Sequence, residues 1–239
     1  MTRRIEEAAY LLHSTPYRET SLIVDLFTRT HGRIVAVAKG AKRPHSSLRA
    51  ALLQFQPLKV SYTGRNELRT LTAAEWAGGS IAPRGDALLC AFYLNELLVR
   101  LLPREDPHPA LFDRYAQTLD ELAAGGTVDE VLRRFEWTLL RETGYAPDLG
   151  HDTEHRPIVA ALRYRWQPAA GFVATEPDAA HDARSVLVDG STLSGLQEGR
   201  FDSASSRAQA KYLTRAILSH CLDGASLNTR QILIDLQKL

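Results

Sequence analysis

The residues best suited to chemistry lie in Ala38-Lys39-Gly40-Ala41-Lys42-Arg43-Pro44-His45-Ser46-Ser47, followed by Arg49. Lys39, Lys42 and Arg43 put three cations within five positions, with a glycine that lets the backbone approach a ligand and hydroxyls that can donate. That combination suits phosphate oxygens. Arg33, Lys59, Arg65 and Arg69 fall on neighbouring strand or turn segments and extend the patch. Tyr17 and Tyr62 offer faces on which bases can stack, although half-buried strand aromatics are commoner. Nothing comparable points to catalysis. The sequence has no G-x-x-x-x-G-K-[ST] loop, no G-x-S-x-G elbow, no H-E-x-x-H and no paired-cysteine zinc signature. His151, Asp152, Glu154 and His155, with His181 and Asp182 downstream, sit in a polar stretch punctuated by Gly and Pro. Four-residue His spacing there has no helix to make ligands converge, so these read as loop residues and no metal site is assigned.

The elements that must hold the cationic run follow from periodicity. With 239 residues, 44% hydrophobic and 24% charged, the chain can bury a real core, which excludes disorder and fibre. No run of about eighteen apolar residues could span a membrane, and the first residues lead into no signal-peptide core, so a cytosolic protein is expected. Cys90 and Cys221 lie far apart in apolar helical patterns and read as buried thiols. The formal net charge of +1 conceals a division. Residues 1–80 hold 12 Lys and Arg against 6 Asp and Glu, a net +6, and residues 81–239 hold 17 against 22, a net −5. A basic N-terminal third indicates a polyanion partner, most often nucleic acid.

Five strand-like runs, at about 5–13, 21–29, 33–39, 57–63 and 67–72, are rich in β-branched, aromatic or alternating apolar residues and are bounded by turns. Leu22, Val24 and Leu26 share one face. The link from Gly40 to Gln56 becomes helical in its second half, with Leu48, Ala51, Leu52 and Phe55 in register. Five strands with a helical link after the third predict an OB-type barrel over 1–80; an SH3-like barrel would lack that helix. Residues 81–239 predict a helical domain. Its helices fall at about 86–144 and 205–238, and Thr127-Val128-Asp129-Glu130 has the spacing of a capping box. Residues 145–200 read as an irregular insertion with short strand-like runs at Leu162–Trp166 and Ser185–Asp189. The fold class expected is thus a multidomain α+β protein, an N-terminal barrel followed by a helical bundle carrying an insertion.

Several words of the sequence resemble one family. Pro16-Tyr17-Arg18-Glu19-Thr20-Ser21-Leu22, Asp25-Leu26-Phe27-Thr28 with His31-Gly32-Arg33, and Val37-Ala38-Lys39-Gly40-Ala41-Lys42-Arg43 are similar to the N-terminal domain of the bacterial recombination mediator family RecO. Phe55-Gln56-Pro57-Leu58, the run from Gly64 to Leu71, Tyr93-Leu94-Asn95-Glu96-Leu97-Leu98, and Phe135-Glu136 to Gly144-Tyr145 continue the resemblance in order and spacing. It is specific over residues 8–145 and weaker over 146–239.

The resemblance implies a non-enzymatic DNA-repair and homologous-recombination mediator. Such a protein binds single- and double-stranded DNA, anneals complementary strands and, with RecR, helps load RecA onto DNA coated by the single-stranded-DNA-binding protein SSB. It also implies a zinc-ribbon-like middle region, and here that stretch lacks the four cysteines many members carry, as in a zinc-free branch; no cofactor is expected. Phosphate contacts are assigned to Lys39, Lys42, Arg43, Arg49, Arg65 and Arg69, with Arg33 and Lys59 as weaker members. For the acidic, apolar-ended SSB tail the implied receptor is a groove with a cation at its rim, placed near Phe92, Leu98, Arg133 or Arg141. The location implied is the bacterial cytoplasm, associated with the nucleoid, with no membrane partner. An RNA-binding OB protein is the alternative, because preference for the 2′-hydroxyl is not legible in these residues. A metal-dependent nuclease using His151–His155 is the enzymatic rival.

Overall fold

A computed structural model describes residues 4–64, 67–79, 82–175, 186–229 and 231. The chain divides into two compact units, Met1–Gly126 with Leu227–Leu239, and Thr127–Ser226.

The first unit is built on a closed five-stranded barrel. Its strands are β1 (Ile5–Tyr17), β2 (Ser21–Thr28), β3 (Gly32–Ala38), β4 (Leu58–Thr63) and β5 (Leu68–Trp76), closing in the order β1-β2-β3-β5-β4. Neighbours are antiparallel except β3 and β5, whose parallel pairing runs from Val35 opposite Leu68 to Ala38 opposite Leu71. This is the OB-type arrangement, and the expected short helix is present as α1 (Ser47–Ala51) between β3 and β4. Alternation fills the interior: Val24, Leu26, Ile34, Ala36, Leu58, Val60 and Leu71 form the core with Leu48 of α1, and Leu22 packs against them.

Part of the outer surface is also apolar and is covered by α2 (Asp86–Leu101) and α3 (Pro109–Ala123). Tyr10 and Phe27 meet Phe112 at ring-centroid distances of 5.3 Å each, and Tyr10 meets Tyr115 edge-on at 5.0 Å. The register of β1 against β2 shifts between Leu11 and His13. A bulge leaves a backbone group outside the ladder. Here the Leu12 carbonyl accepts instead from the side-chain amides of Asn95 at 2.9 Å and Gln54 at 2.6 Å, tying α2 and the α1–β4 link to the barrel wall. Tyr115 donates to the Asn95 carbonyl oxygen at 2.6 Å. Near the end of the described chain, the Asn228 and Thr229 amides donate to the Glu96 carboxylate at 2.8 and 2.9 Å. Of the helical stretch expected at about 205–238, residues 230 and 232–238 lie outside the described residues.

The second unit packs α4 (Val128–Glu142), α5 (Gly190–Glu198) and α6 (Ala204–Cys221) with a three-stranded antiparallel sheet, in which β6 (Arg163–Gln167) lies between β7 (Gly171–Thr175) and β8 (Val186–Asp189). Residues 145–200 are therefore more regular than their composition suggests: β7 and α5 were not expected. Thr127 does stand at the N-cap of α4, but its side chain makes no capping bond. The reciprocal capping box is at α6, between Ser203 and Ser206. Inside the unit, Arg133 and Glu136 form a buried ion pair one turn apart on α4, and Thr214 of α6 donates to Glu136 at 2.6 Å.

Candidate nucleic-acid interface

The barrel topology gathers three segments at one end. Leu22 pairs with Ala38, so the tip of the β1–β2 hairpin stands beside the loop that leaves β3, and the parallel β3–β5 pairing brings Leu68–Thr70 alongside. They enclose an open cleft of about 670 Å³ whose lining includes Tyr17, Arg18, Lys39, Arg43 and Arg69, with Glu19 as its acid. The cationic loop is a chain of tight turns rather than a floppy connection: the Lys42 amide donates to Thr20 at 2.9 Å, Arg43 to Gly40 at 3.0 Å and Ser46 to Arg43 at 3.1 Å. Gly40 has φ +69°, the left-handed region that this turn requires and glycine adopts without a Cβ penalty. Ala41 and Leu48 anchor the loop in the barrel core, so the cations stand on a fixed base.

Lys39, Lys42, Arg43 and Arg49 are all exposed. None forms an ion pair with a described residue. Lys39 and Arg43 line the cleft, while Lys42 and Arg49 continue the charge along the loop and into α1. Arg65 lies outside the described residues. The remaining expected contacts are placed differently. The Arg33 guanidinium lies against Asp25 at 3.3 Å and donates to the carbonyls of Val99 and Leu102, the latter at 2.8 Å, so it caps the C-terminus of α2 and is not free for phosphate. Lys59 is exposed but bound to Glu6 at 2.6 Å, on another wall of the barrel. Arg69 belongs to the strand that walls the cleft, but its side chain turns inward: it is buried, stacks over the Tyr62 ring at 5.1 Å and pairs with Glu105 at 2.8 Å, so it is not free for phosphate.

Of the two aromatic candidates only Tyr17 is accessible. Tyr62 is fully buried and donates its hydroxyl to Glu7, which makes it part of the wall and not a stacking platform. Glu7 also accepts from the Thr30 hydroxyl at 2.6 Å and faces the His31 ring at 2.9 Å. Burial alone would push its carboxyl up, but these donors outweigh burial and hold it below its ordinary value. Arg18, not among the expected phosphate contacts, lines the cleft with its guanidinium 5.1 Å over the Tyr17 ring. Its signal was its position at a hairpin tip, at φ +52°, adjacent to the loop after β3.

The sequence comparisons agree with the barrel and with the helical region C-terminal to it. The family model described as Recombination protein O N terminal matches residues 1–79, and that described as Recombination protein O C terminal matches residues 83–231. The chain belongs to the RecO family. Proteins named DNA repair protein RecO from Burkholderia pseudomallei (strain 1710b) and Burkholderia orbicola (strain AU 1054) are 52% and 50% identical over 239 and 237 residues, spanning 99% of this chain and 86% and 84% of theirs. A protein of the same name from Polynucleobacter asymbioticus is 47% identical over 243 residues, covering 99% of this chain and 98% of its own.

For this member of the RecO family, two other groups of expected residues are dispersed or buried. Leu98 is wholly buried in the first unit and Arg133 is buried in the second, so neither offers a surface to a peptide. Phe92 packs edge-on against Phe55 at 4.9 Å, and Arg141 is exposed beside Glu142. Helical spacing marked Leu98 as apolar and buried, which is its role; Arg133 serves Glu136. In the RecO middle region His151 faces Asp148 at 2.9 Å, while Asp152 binds the Arg156 guanidinium at 2.8 Å. No three His, Cys, Asp or Glu among the described residues converge on a point that could hold a metal ion. His181 and Asp182 lie outside the described residues. No helix among the described residues is long and apolar enough to cross a membrane.

Proposed function

We propose that the cleft and loop at this end of the barrel bind the sugar-phosphate backbone of DNA, and that the chain acts as a recombination mediator: it binds single- and double-stranded DNA, anneals complementary strands and, with RecR, helps load RecA onto SSB-coated DNA. The observation that carries this reading is the set Arg18, Lys39, Lys42, Arg43 and Arg49, exposed on the loop and hairpin and in no ion pair with a described carboxylate, against the single acid Glu19 in the cleft lining. Membership of a family whose relatives are named DNA repair proteins supports it. Annealing needs no bond making. A basic platform must neutralise two backbones enough to bring strands together while leaving base edges free to pair, and contacts confined to phosphate do that. The protein would act on DNA in the bacterial cytoplasm. Contact with the SSB tail is proposed without a residue set, because Leu98 and Arg133 are each buried within their own unit.

The test is annealing of complementary oligonucleotides, bare and SSB-coated, by the full chain and by the Lys39→Ala, Lys42→Ala, Arg43→Ala triple variant. The full chain should accelerate annealing of both substrates and the folded triple variant should accelerate neither. Equal annealing by the two proteins would overturn the assignment.

A further inference from the structure

The cleft cations stand around an apolar surface that phosphate contacts leave unused. Successive side chains of a strand alternate between its two faces, and residues paired across a ladder share one. Leu22, Ala38 and Leu71 pair with one another and point into the barrel core. Val37, one step from Ala38, therefore points outward, as do its partners Ile23 and Thr70. Leu68, two residues before Thr70, shares that outer face, and so does Tyr17, which pairs with Ser21 next to the inward Leu22. Tyr17, Val37, Leu68 and Thr70 all line the cleft, together with Arg18, Lys39 and Arg43. Val37 is its buried floor, Leu68 is 45% exposed and Tyr17 is half-buried. The Arg18 guanidinium lies 5.1 Å over the Tyr17 ring, which places a cation beside an aromatic plane.

An unpaired nucleotide complements both parts of this surface, because it offers a flat base face and, one sugar away, a phosphate. A duplex offers its phosphates but keeps its base faces stacked inside the helix. We propose that the cleft seats an unpaired base against Tyr17 and Leu68, with the flanking phosphates at Arg18, Lys39 and Arg43, and is thereby selective for single strands. Lys42 and Arg49, outside the cleft, serve the backbone of either form. This rests on the reading of the cleft as a DNA interface. Contact through the base face leaves the pairing edge unspent, so a seated strand can still meet its complement. Once paired, the base must stack within the new duplex and leave the cleft, so pairing itself weakens the hold on the product.

Fluorescence anisotropy with three fluorescein-labelled probes of one length tests this: oligothymidylate, a strand of abasic sugars on the same phosphate backbone, and a duplex. The full chain should bind oligothymidylate about five- to fifty-fold more tightly than the abasic strand, the range of one stacked base. Tyr17→Leu should remove most of that difference while leaving duplex affinity and the single-strand salt slope unchanged, since no phosphate contact is lost. Tyr17→Phe keeps the ring and should bind as the parent does, and Leu68→Gln, at an exposed position, should remove part of the difference. Equal affinity of the full chain for oligothymidylate and the abasic strand overturns the base seat, whether or not Tyr17→Leu folds. So does a difference that persists in folded Tyr17→Leu. A Tyr17→Leu slope shallower by about 0.7, with duplex affinity falling in step, would show a displaced Arg18 phosphate contact and overturn it as well. The Lys39, Lys42, Arg43 triple alanine variant separates this from the underlying reading. If it loses binding to all three probes while the full chain does not distinguish the two single strands, only the base seat fails; if it binds all three normally, the cleft is not the interface and both fail.

Discussion

The β3–α1 loop and the surface of the second unit use the same residue types differently. On the loop, Lys39, Lys42, Arg43 and Arg49 face solvent and form no ion pair with a described carboxylate. In the second unit many described cations are matched: Arg134 and Arg207 approach Glu130, Lys211 meets Asp129 at 2.7 Å, Arg163 meets Asp189 at 3.0 Å, and Arg156 is shared by Asp152 and Glu154. A matched cation spends its field on its neighbour. Net charge along the sequence points toward the barrel, but the pairing within each region decides which cations are open to a polyanion, and it removes Arg33 and Lys59 from the set although both lie in the basic third.

If cations in the second unit are structural, breaking their pairing should cost stability and leave DNA binding alone. The largest such effect is expected for Glu136→Ala, which deprives buried Arg133 of its balancing carboxylate and Thr214 of its acceptor. Removing one member of a buried pair costs about 3–5 kcal/mol, and the urea midpoint should fall accordingly with the DNA salt slope unchanged. A smaller effect is expected at Glu7. Its folded carboxyl titrates below its ordinary value of 4.5, so the stability it contributes is complete above that value and is lost as pH falls through the lower, folded value. Glu7→Gln should therefore melt earlier than the parent protein at neutral pH and converge with it in acid; a constant gap down to the acid limb would show that the carboxylate's charge is not what matters. The smallest is Lys211→Ala. The pair with Asp129 is largely solvated, so calorimetry should show a loss of about 0–1 kcal/mol, and anisotropy no change in DNA affinity.

Much of the barrel was legible in the sequence because period-two alternation and turn residues agreed locally, and Leu22, Val24 and Leu26 do point inward. The first strand runs on past the expected end near residue 13 to Tyr17, and Pro16 pairs opposite Leu22 just before the hairpin tip, where strand geometry tolerates proline. The β6–β7 hairpin was missed because Gln167-Pro168-Ala169-Ala170 reads as a break, whereas it is a tight turn with Ala169 at φ +62°. The start of α5 was hidden by Gly190, which is there because a Cβ would lie 2.1 Å from the Val159 carbonyl oxygen. At the candidate site the loop cations were legible as a cluster. The structural role of Arg33 was not, because its acceptor carbonyls lie 66 and 69 residues away in sequence, and no local pattern reports such a contact. Arg69 and Tyr62 were misread for the same reason: burial in a closed barrel depends on which strands become neighbours.

The central claim is that DNA affinity resides in the unmatched cations of the loop and not in the overall count of basic residues. Its most direct test is the salt dependence of duplex binding by two folded variants that each lose three cations: Lys39→Ala, Lys42→Ala, Arg43→Ala on the loop, and Arg156→Ala, Arg163→Ala, Lys211→Ala in the second unit. The loop variant should lose affinity by on the order of 100-fold at low salt, with a log-log slope shallower by about 2.7, while the second variant keeps the parental slope. Equal losses in the two variants, or a parental slope in the loop variant, would contradict the account.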